Sequence, residues 1–157
     1  MIDLKVKIGQ KFHLKDIDLD KLEKAATKEF NSKKLSSYEN TYNGLAAEHY
    51  MMEHHDYINN LEDYQDVFSP CFTPVEIKSR VNVSYIHDAL EELSERKEWK
   101  KPDGTLYAKV PEYVIAFLRK GEEYMCHSFW IWNKENKKFE WVERADNNNV
   151  QLDAFMV

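Results

Sequence analysis

Short apolar runs separated by brief polar turns fill the C-terminal third of the chain, and this pattern constrains the fold more than any other feature. The runs predict five strands, at residues 105–110, 112–118, 123–132, 138–143 and 150–155. The separators include Gly121, Asn136 and residues 147–149, and they are too short to hold a helical crossover. Strands joined by such turns run antiparallel to their neighbours. We therefore predict a C-terminal antiparallel meander of about five strands.

The start of the chain alternates between apolar and charged residues over positions 2–8. The apolar members of this stretch are Ile2, Leu4, Val6 and Ile8. A period of two with one apolar face is typical of a half-buried strand. Phe12 and Leu14 follow a predicted turn at Gly9 and Gln10. This region is therefore predicted to add an N-terminal strand or hairpin to the sheet.

Apolar residues at helical spacing predict three helices in the remaining part of the chain. The first follows an N-cap at Asp18, the second covers about residues 45–64, and the third begins near Asn82 or Ser84. The polar segment at residues 33–44 is predicted to be a loop between the first two helices.

Length and composition fit one folded unit. The chain has 157 residues, of which 43% are hydrophobic, and this is enough to build a single core. Together with the element pattern, this predicts one α+β domain over residues 1–157, with about three helices packed on one face of the sheet.

Charge is distributed unevenly. Residues 35–77 contain no Lys or Arg, and they contain five of the nine tyrosines and three of the six histidines. The eight acids of this segment are Glu39, Glu48, Glu53, Asp56, Glu62, Asp63, Asp66 and Glu76. The whole chain carries a net charge of −6, so all other residues together sum to +2. Unpaired carboxylates on one helix face leave a field that attracts a basic partner.

We therefore predict a small binding protein, an adaptor or an inhibitor, that docks on a basic protein surface through an acidic, tyrosine-rich helical face. The residues predicted to contact the partner are Glu48, Glu53, Asp56, Tyr57, Asp63 and Tyr64. Because such a face can imitate a phosphate backbone, the partner class includes nucleic-acid-binding proteins, and a viral anti-defence protein would have this size and acidity. The alternative is an ordinary solvated helix face, paired with basic residues elsewhere in the fold.

Several classes of function are disfavoured. The acidic balance argues against direct binding of nucleic acid, and no phosphate-binding glycine motif occurs, so no nucleotide cofactor is expected. No apolar run approaches the ~20 residues of a membrane span. The first residues lack the apolar core of a signal peptide, and two cysteines do not form a disulfide framework. We therefore expect a cytoplasmic location with free thiols.

Two histidine-containing sets are candidates for chemistry, and the first is a metal pair. His49 and Glu53 lie four residues apart on the predicted central helix, which is a spacing that can share a metal ion. The chain has neither HExxH nor a second Glu-x-x-His helix, so we expect no metal centre.

The second set is Cys71, His127 and Asp146. Cys71 precedes a segment predicted to be helical, and a helix N-terminus lowers a thiol pKa. His127 and Asp146 belong to successive C-terminal strands. A cysteine on a helix, followed by a histidine and an acid on adjacent strands, resembles transglutaminase-like and papain-like thiol enzymes. This resemblance implies a thiol hydrolase or acyltransferase, which is our second hypothesis; an enzyme is the less favoured interpretation.

The strand at residues 123–132 is unusually rich in aromatic residues. Strict alternation would place Tyr124, Cys126, Ser128, Trp130 and Trp132 on one face. Aromatic side chains in a hairpin can form a stacking platform for bases or sugars. A central strand covered on both faces also carries large aromatic residues, and we favour this core interpretation.

Overall fold

One mixed sheet organises the part of the chain that the structure, a computed structural model, describes: residues 2–59, 67–96 and 111–144. Its elements are β1 (Lys11–His13), α1 (Leu19–Lys33), α2 (Tyr38–His55), β2 (Ile58–Asn59), β3 (Val67–Phe68), β4 (Pro74–Arg80), α3 (Val83–Arg96), β5 (Tyr113–Lys120), β6 (Glu123–Asn133) and β7 (Lys138–Arg144). A 3₁₀ turn, Leu14–Asp16, follows β1. The fold is α+β, as predicted.

The longest strand, β6, lies inside the sheet. Strand β5 pairs with one edge of β6, whereas β1 and β7 share the opposite edge, β1 at residues 123–125 and β7 at residues 128–133. Beyond β5 the order continues with β4, β3 and β2. The predicted antiparallel meander is confirmed for β5, β6 and β7. The predicted strands at 105–110 and 150–155 lie outside the described residues.

One pair of strands makes the sheet mixed. Strand β4 runs parallel to β5, with Val75 opposite Tyr113 and Arg80 opposite Leu118. The connection between these strands contains α3, so it is long enough for the crossover that parallel pairing requires. The strands β2, β3 and β4 were absent from the sequence prediction.

Helices cover both faces of the sheet, not one face as predicted. On one face, α1, α2 and the N-terminal segment enclose a core that includes Leu22, Met51 and Phe117. On the other face, α3 packs through Ile86 and Leu90 against a second core. Because β5 lies between the two cores, its residues 113–118 are all buried. This explains its continuous apolar sequence.

Side-chain caps fix where the helices begin. The carboxylate of Asp18 accepts a hydrogen bond from Lys21 N at 3.2 Å, which confirms the predicted start of α1. Asn82 accepts one from Tyr85 N at 2.9 Å at the start of α3. Ser37 caps α2 in the same way, so this helix begins well before residue 45, and the loop predicted at residues 33–44 is confined to residues 34–37. Helix α2 ends at His55, because Asp56 adopts a left-handed conformation.

The N-terminal segment is not the predicted strand. Leu4 and Val6 are buried as the alternation requires, but the backbone turns at Lys5, where φ is 72°. Gly9 N donates to the Cys126 carbonyl at 2.8 Å, and Cys126 N donates to the Gln10 carbonyl at 2.9 Å. Sheet pairing therefore starts only where β1 meets β6.

An extra residue in β6 changes which side chains share a face. Ala116 pairs with Ser128 and Phe117 pairs with Cys126, so the intervening His127 forms a bulge. Beyond the bulge the alternation shifts by one. Tyr124, Cys126 and Phe129 belong to the core under α2, whereas Met125 and Trp130 belong to the core under α3. The prediction that Trp130 shares a face with Tyr124 is therefore wrong.

Candidate functional site

Two hydrogen bonds join the end of α2 to the beginning of α1. The Glu53 carboxylate accepts a hydrogen bond from Asp18 N at 2.9 Å. The His54 ring donates from Nε2 to the Asp16 carbonyl at 2.6 Å. Acids that are far apart in the sequence are thereby placed side by side on the surface.

We call this surface the acidic junction. It consists of Asp16, Asp18, Leu19, Asp20, Glu53 and Asp56, all of which are exposed. Lys15 and Lys21 are exposed in the same region, so the junction is negative but not uniformly so. Leu19, which lies between Asp18 and Asp20 in the sequence, is 42% exposed and adds an apolar side chain to this surface.

The structure places the predicted partner-binding residues in different environments. Glu53 and Asp56 belong to the acidic junction. Glu48 is half-buried and lines a cavity between α2 and β4. Tyr57 is only 4% exposed, and its hydroxyl donates to the Leu4 carbonyl at 2.9 Å, so it belongs to the core and not to a docking surface.

The remaining two predicted residues, Asp63 and Tyr64, lie outside the described residues. The aspartates at the start of α1 were not predicted as part of the acidic surface, because the acidic segment was defined as one contiguous stretch of sequence. Their signal was hidden by neighbouring lysines, and only the packing of α1 against α2 reveals it.

The metal candidates do not form a larger ligand set. Burial lowers the pKa of His49, and the Glu53 carboxylate acts in the opposite direction. Glu53 also accepts the hydrogen bond from Asp18 N. Within the three described ranges, no group of three or more His, Cys, Asp and Glu side chains is arranged to hold a metal ion.

Cys71 lies in the turn between β3 and β4, and a strand follows it rather than a helix. The thiol is exposed, with Sγ 3.2 Å from Ser69 Oγ and 3.5 Å from Thr73 Oγ1. These two side-chain hydrogen bonds lower the pKa of Cys71, the bond from Ser69 having the larger effect. The cause of the lowered pKa of Cys71 therefore lies within the turn that holds this residue.

His127, by contrast, is buried inside the sheet. Its Nδ1 lies 2.9 Å from Ser128 Oγ. Burial lowers the pKa of His127 to about 4, and the nearby charges of His87 and Arg144 act in the same direction. The ring is therefore neutral over the physiological pH range.

Strand register separates Cys71 from His127. The bulge at His127 faces Ala116 and Phe117, whose partners on β4 are Lys78 and Ser79. Cys71 precedes the opposite end of β4, so the two side chains are roughly 15 Å or more apart at ~3.3 Å per residue. Asp146 lies outside the described residues. The arrangement required by the thiol-enzyme hypothesis is not formed by Cys71 and His127.

The aromatic side chains of β6 and β7 pack on one another. The Trp130 and Trp141 rings meet edge to face, with centroids 5.5 Å apart. The Arg144 guanidinium lies 3.4 Å above the Trp141 ring, and His87 contacts both tryptophans. Trp130 is buried. These contacts assign Trp130 to the core and Trp141 to the edge of that core.

A cleft that the sequence did not predict opens at the carboxyl ends of β4 and β5. Its lining residues are Asn40, Asn43, Gly44, Ser79, Arg80, Val81, Tyr85 and Arg119. The only signal for it in the sequence is the strand–helix–strand pattern of β4, α3 and β5, and β4 was not recognised as a strand.

Comparisons with known proteins identify no similar protein. The chain matches no protein-family model, and neither curated proteins nor solved structures give a significant match. In the part of the chain that the structure describes, the helices are too short or too polar to cross a membrane.

Proposed function

We propose that this protein binds another protein, docking the acidic junction on a basic surface of its partner. The observation that carries this proposal is the hydrogen bond from Asp18 N to the Glu53 carboxylate, which joins acids of two helices into one surface. Carboxylates on both helices then act on the same approaching cation, so their fields add.

The junction also supplies an apolar contact. Leu19 is flanked by Asp18 and Asp20 and is 42% exposed. A buried apolar anchor surrounded by charged groups is a common arrangement at protein interfaces, where the anchor contributes affinity and the charges contribute association rate and specificity. The favoured partner therefore presents Lys or Arg around an apolar pocket.

Proteins that bind nucleic acids carry basic surfaces of this kind, so they form the partner class that we favour. The proposed role is that of an adaptor or an inhibitor, with viral anti-defence proteins as one source of such inhibitors. We propose a cytoplasmic location, which is supported by the free thiols of Cys71 and Cys126.

A charge-reversal pair with a matched control tests this proposal. The variant Asp20→Lys/Asp56→Lys changes two exposed acids of the junction without touching the Glu53–Asp18 hydrogen bond. The control Glu91→Lys/Glu95→Lys makes the same change in net charge on exposed positions of α3. Partners captured from lysate by the wild-type protein are identified, purified and titrated against all three proteins at several salt concentrations.

The junction variant should bind at least about tenfold more weakly, since each desolvated charge pair at an interface contributes ~1.5 kcal/mol or more. Its affinity should also depend less on salt, whereas the control should keep both the affinity and the salt dependence of the wild type. Equal losses in the two folded variants, or no loss in either, would contradict docking through the acidic junction.

A further inference from the structure

A cleft of about 470 Å³ lies where two parallel strands end. Arg80 is the last residue of β4, and Arg119 is the penultimate residue of β5. Tyr85 belongs to the first turn of α3, which connects these strands. In strand–helix–strand units, ligands characteristically bind at the carboxyl ends of the parallel strands. The cleft therefore lies where strand–helix–strand units usually bind their ligands.

The two arginines of the cleft donate to backbone carbonyls, although Arg80 also lines neighbouring cavities that contain Glu29, Glu48, Glu76 and Glu92. Arg80 Nη1 donates to the Ser79 carbonyl at 2.8 Å, and Arg119 Nη1 donates to the Gly121 carbonyl at 3.0 Å. Among residues 2–59, 67–96 and 111–144, no carboxylate forms a salt bridge with either arginine. In a chain with a net charge of −6, two such arginines at one cleft indicate an anionic ligand.

The other polar groups of the cleft can also donate hydrogen bonds. Asn40 and Asn43 present side-chain amides from α2. The lining contains no acidic side chain.

Gly44 leaves space for a ligand. It lies inside α2, where glycine is the least favourable residue apart from proline. Packing does not explain its presence, because a Cβ atom at this position would meet nothing within 4 Å. Gly44 lines both this cleft and the adjoining cavity between α2 and β4. The missing side chain therefore widens the passage between the two.

The adjoining cavity limits the ligand to one strongly charged group. It shares Asn40, Gly44, Ser79 and Arg80 with the cleft. Its lining also includes Glu29, Glu48 and Glu76, of which Glu76 pairs with Lys78 at 3.3 Å, and the remaining acidic excess disfavours a second phosphate. Hydroxyl groups of an uncharged molecule would be accepted there. Tyr85, which is 51% exposed, offers a ring face on the other side.

From these observations we propose that the cleft binds a phosphate monoester of a small, otherwise uncharged organic molecule. The phosphate lies between Arg80 and Arg119, where two guanidiniums balance its two negative charges. The side-chain amides of Asn40 and Asn43 donate to its remaining oxygens. The organic part extends past Gly44 or over the Tyr85 ring. This site is independent of the acidic junction.

Titrations followed by amide and arginine Nε NMR resonances test the assignment. The probes are ribose 5-phosphate and adenosine 5′-monophosphate, with ribose, adenosine and inorganic phosphate as matched controls. Each is titrated to about 10 mM, well above the ~1 mM dissociation constant that corresponds to about 4 kcal/mol of binding free energy. At least one ester should bind saturably, more tightly than inorganic phosphate, and should shift the Gly44 amide and both arginines. The neutral compounds should not bind.

Three variants and one control locate the site. Arg80→Ala and Arg119→Ala should each weaken binding by about tenfold or more, which is typical of losing a charge-assisted hydrogen bond. Gly44→Leu should block binding without changing any charge. Lys134→Ala removes one positive charge at the opposite end of the sheet and should leave binding within about twofold, since exposed distant charges are screened.

Four results would overturn the proposal: no saturable binding of either ester to the folded protein, equal binding of inorganic phosphate and the esters, equal weakening in Lys134→Ala, or unchanged binding in the folded arginine variants. The fold of every variant is checked from its amide spectrum. A negative result in these experiments does not bear on partner binding through the acidic junction, because none of these substitutions lies in that surface.

Discussion

The hydroxyl of Ser128 joins His127 to Trp130 within the bulge of β6. Trp130 Nε1 donates to Ser128 Oγ at 2.8 Å, and His127 Nδ1 lies 2.9 Å from the same oxygen. Because the indole can only donate, the hydroxyl proton is free to point at Nδ1, which then accepts as a neutral imidazole. This direction of the hydrogen bond matches a neutral His127, whose pKa is lowered to about 4.

Acid should therefore destabilise the fold through His127. Its pKa is lowered to about 4 in the folded protein by burial, with added effects of His87 from α3 and Arg144 from β7. The unfolded chain has an ordinary value near ~6.5, so it binds more protons than the folded state between these values. Stability is then complete above pH ~6.5 and falls as the pH drops toward ~4, by about 3 kcal/mol at most.

Urea denaturation at pH 7.5 and at pH 4.5 measures this effect, with His127→Asn as the comparison. The variant should be less stable overall but should lose less stability between the two pH values. His49 and His55, whose pKa values are also lowered by burial, contribute the residual dependence in both proteins. The same pH dependence in the variant would contradict the assignment to His127.

Two glycines should respond in opposite directions to the same substitution. Gly44→Ala places a methyl group in open space within helix α2, so it should stabilise the protein by about 0.5–1 kcal/mol. Gly121→Ala also meets open space, but φ is +61° in the turn between β5 and β6, so it should destabilise by about 1 kcal/mol. Chemical denaturation of both variants checks the signs. Equal effects would show that helix propensity and backbone strain do not govern these positions.

The carboxylate of Glu53 should have separable structural and electrostatic roles. Glu53→Gln keeps an oxygen that can accept from Asp18 N, so the free energy of unfolding should stay within about 0.5 kcal/mol of wild type. Glu53→Ala removes the acceptor and should cost about 1 kcal/mol. If both variants lose stability equally, the charge matters and not the hydrogen bond.

Local patterns in the sequence predicted the elements that local interactions determine. The cap at Asp18 and the alternating strands β5 to β7 follow from residues close in sequence. The start of α2 was missed because the polar residues before Gly44 resemble a loop until Ser37 is recognised as a cap. The parallel pairing of β4 with β5 depends on contacts across α3, which no local pattern reports.

The candidate sites depend even more on distant contacts. Tyr57 was predicted to contact the partner from a central helix that reached about residue 64, but this helix ends at His55 and Tyr57 lies in the core. The cleft between Arg80 and Arg119 combines residues of four elements, and each arginine looks like an ordinary surface cation when the sequence is read alone.

The two thiols should differ sharply in reactivity, and this difference should not depend on His127. Cys71 is exposed and its pKa is lowered by hydrogen bonds from Ser69 and Thr73, whereas burial raises the pKa of Cys126. Since the thiolate is the nucleophile, iodoacetamide should modify only Cys71 in the native protein and both cysteines in urea.

The dependence on neighbours identifies the cause of this reactivity. Ser69→Ala removes the larger of the two side-chain hydrogen bonds to Cys71 and should slow the modification near neutral pH, where the thiolate fraction limits the rate. Thr73→Ala should have a smaller effect. His127→Asn should leave the rate unchanged, because strand register places the imidazole far from the turn that holds Cys71. Mass spectrometry of timed samples gives the rates, and circular dichroism confirms that each variant is folded. A rate that falls in His127→Asn but not in Ser69→Ala would restore the thiol-enzyme hypothesis.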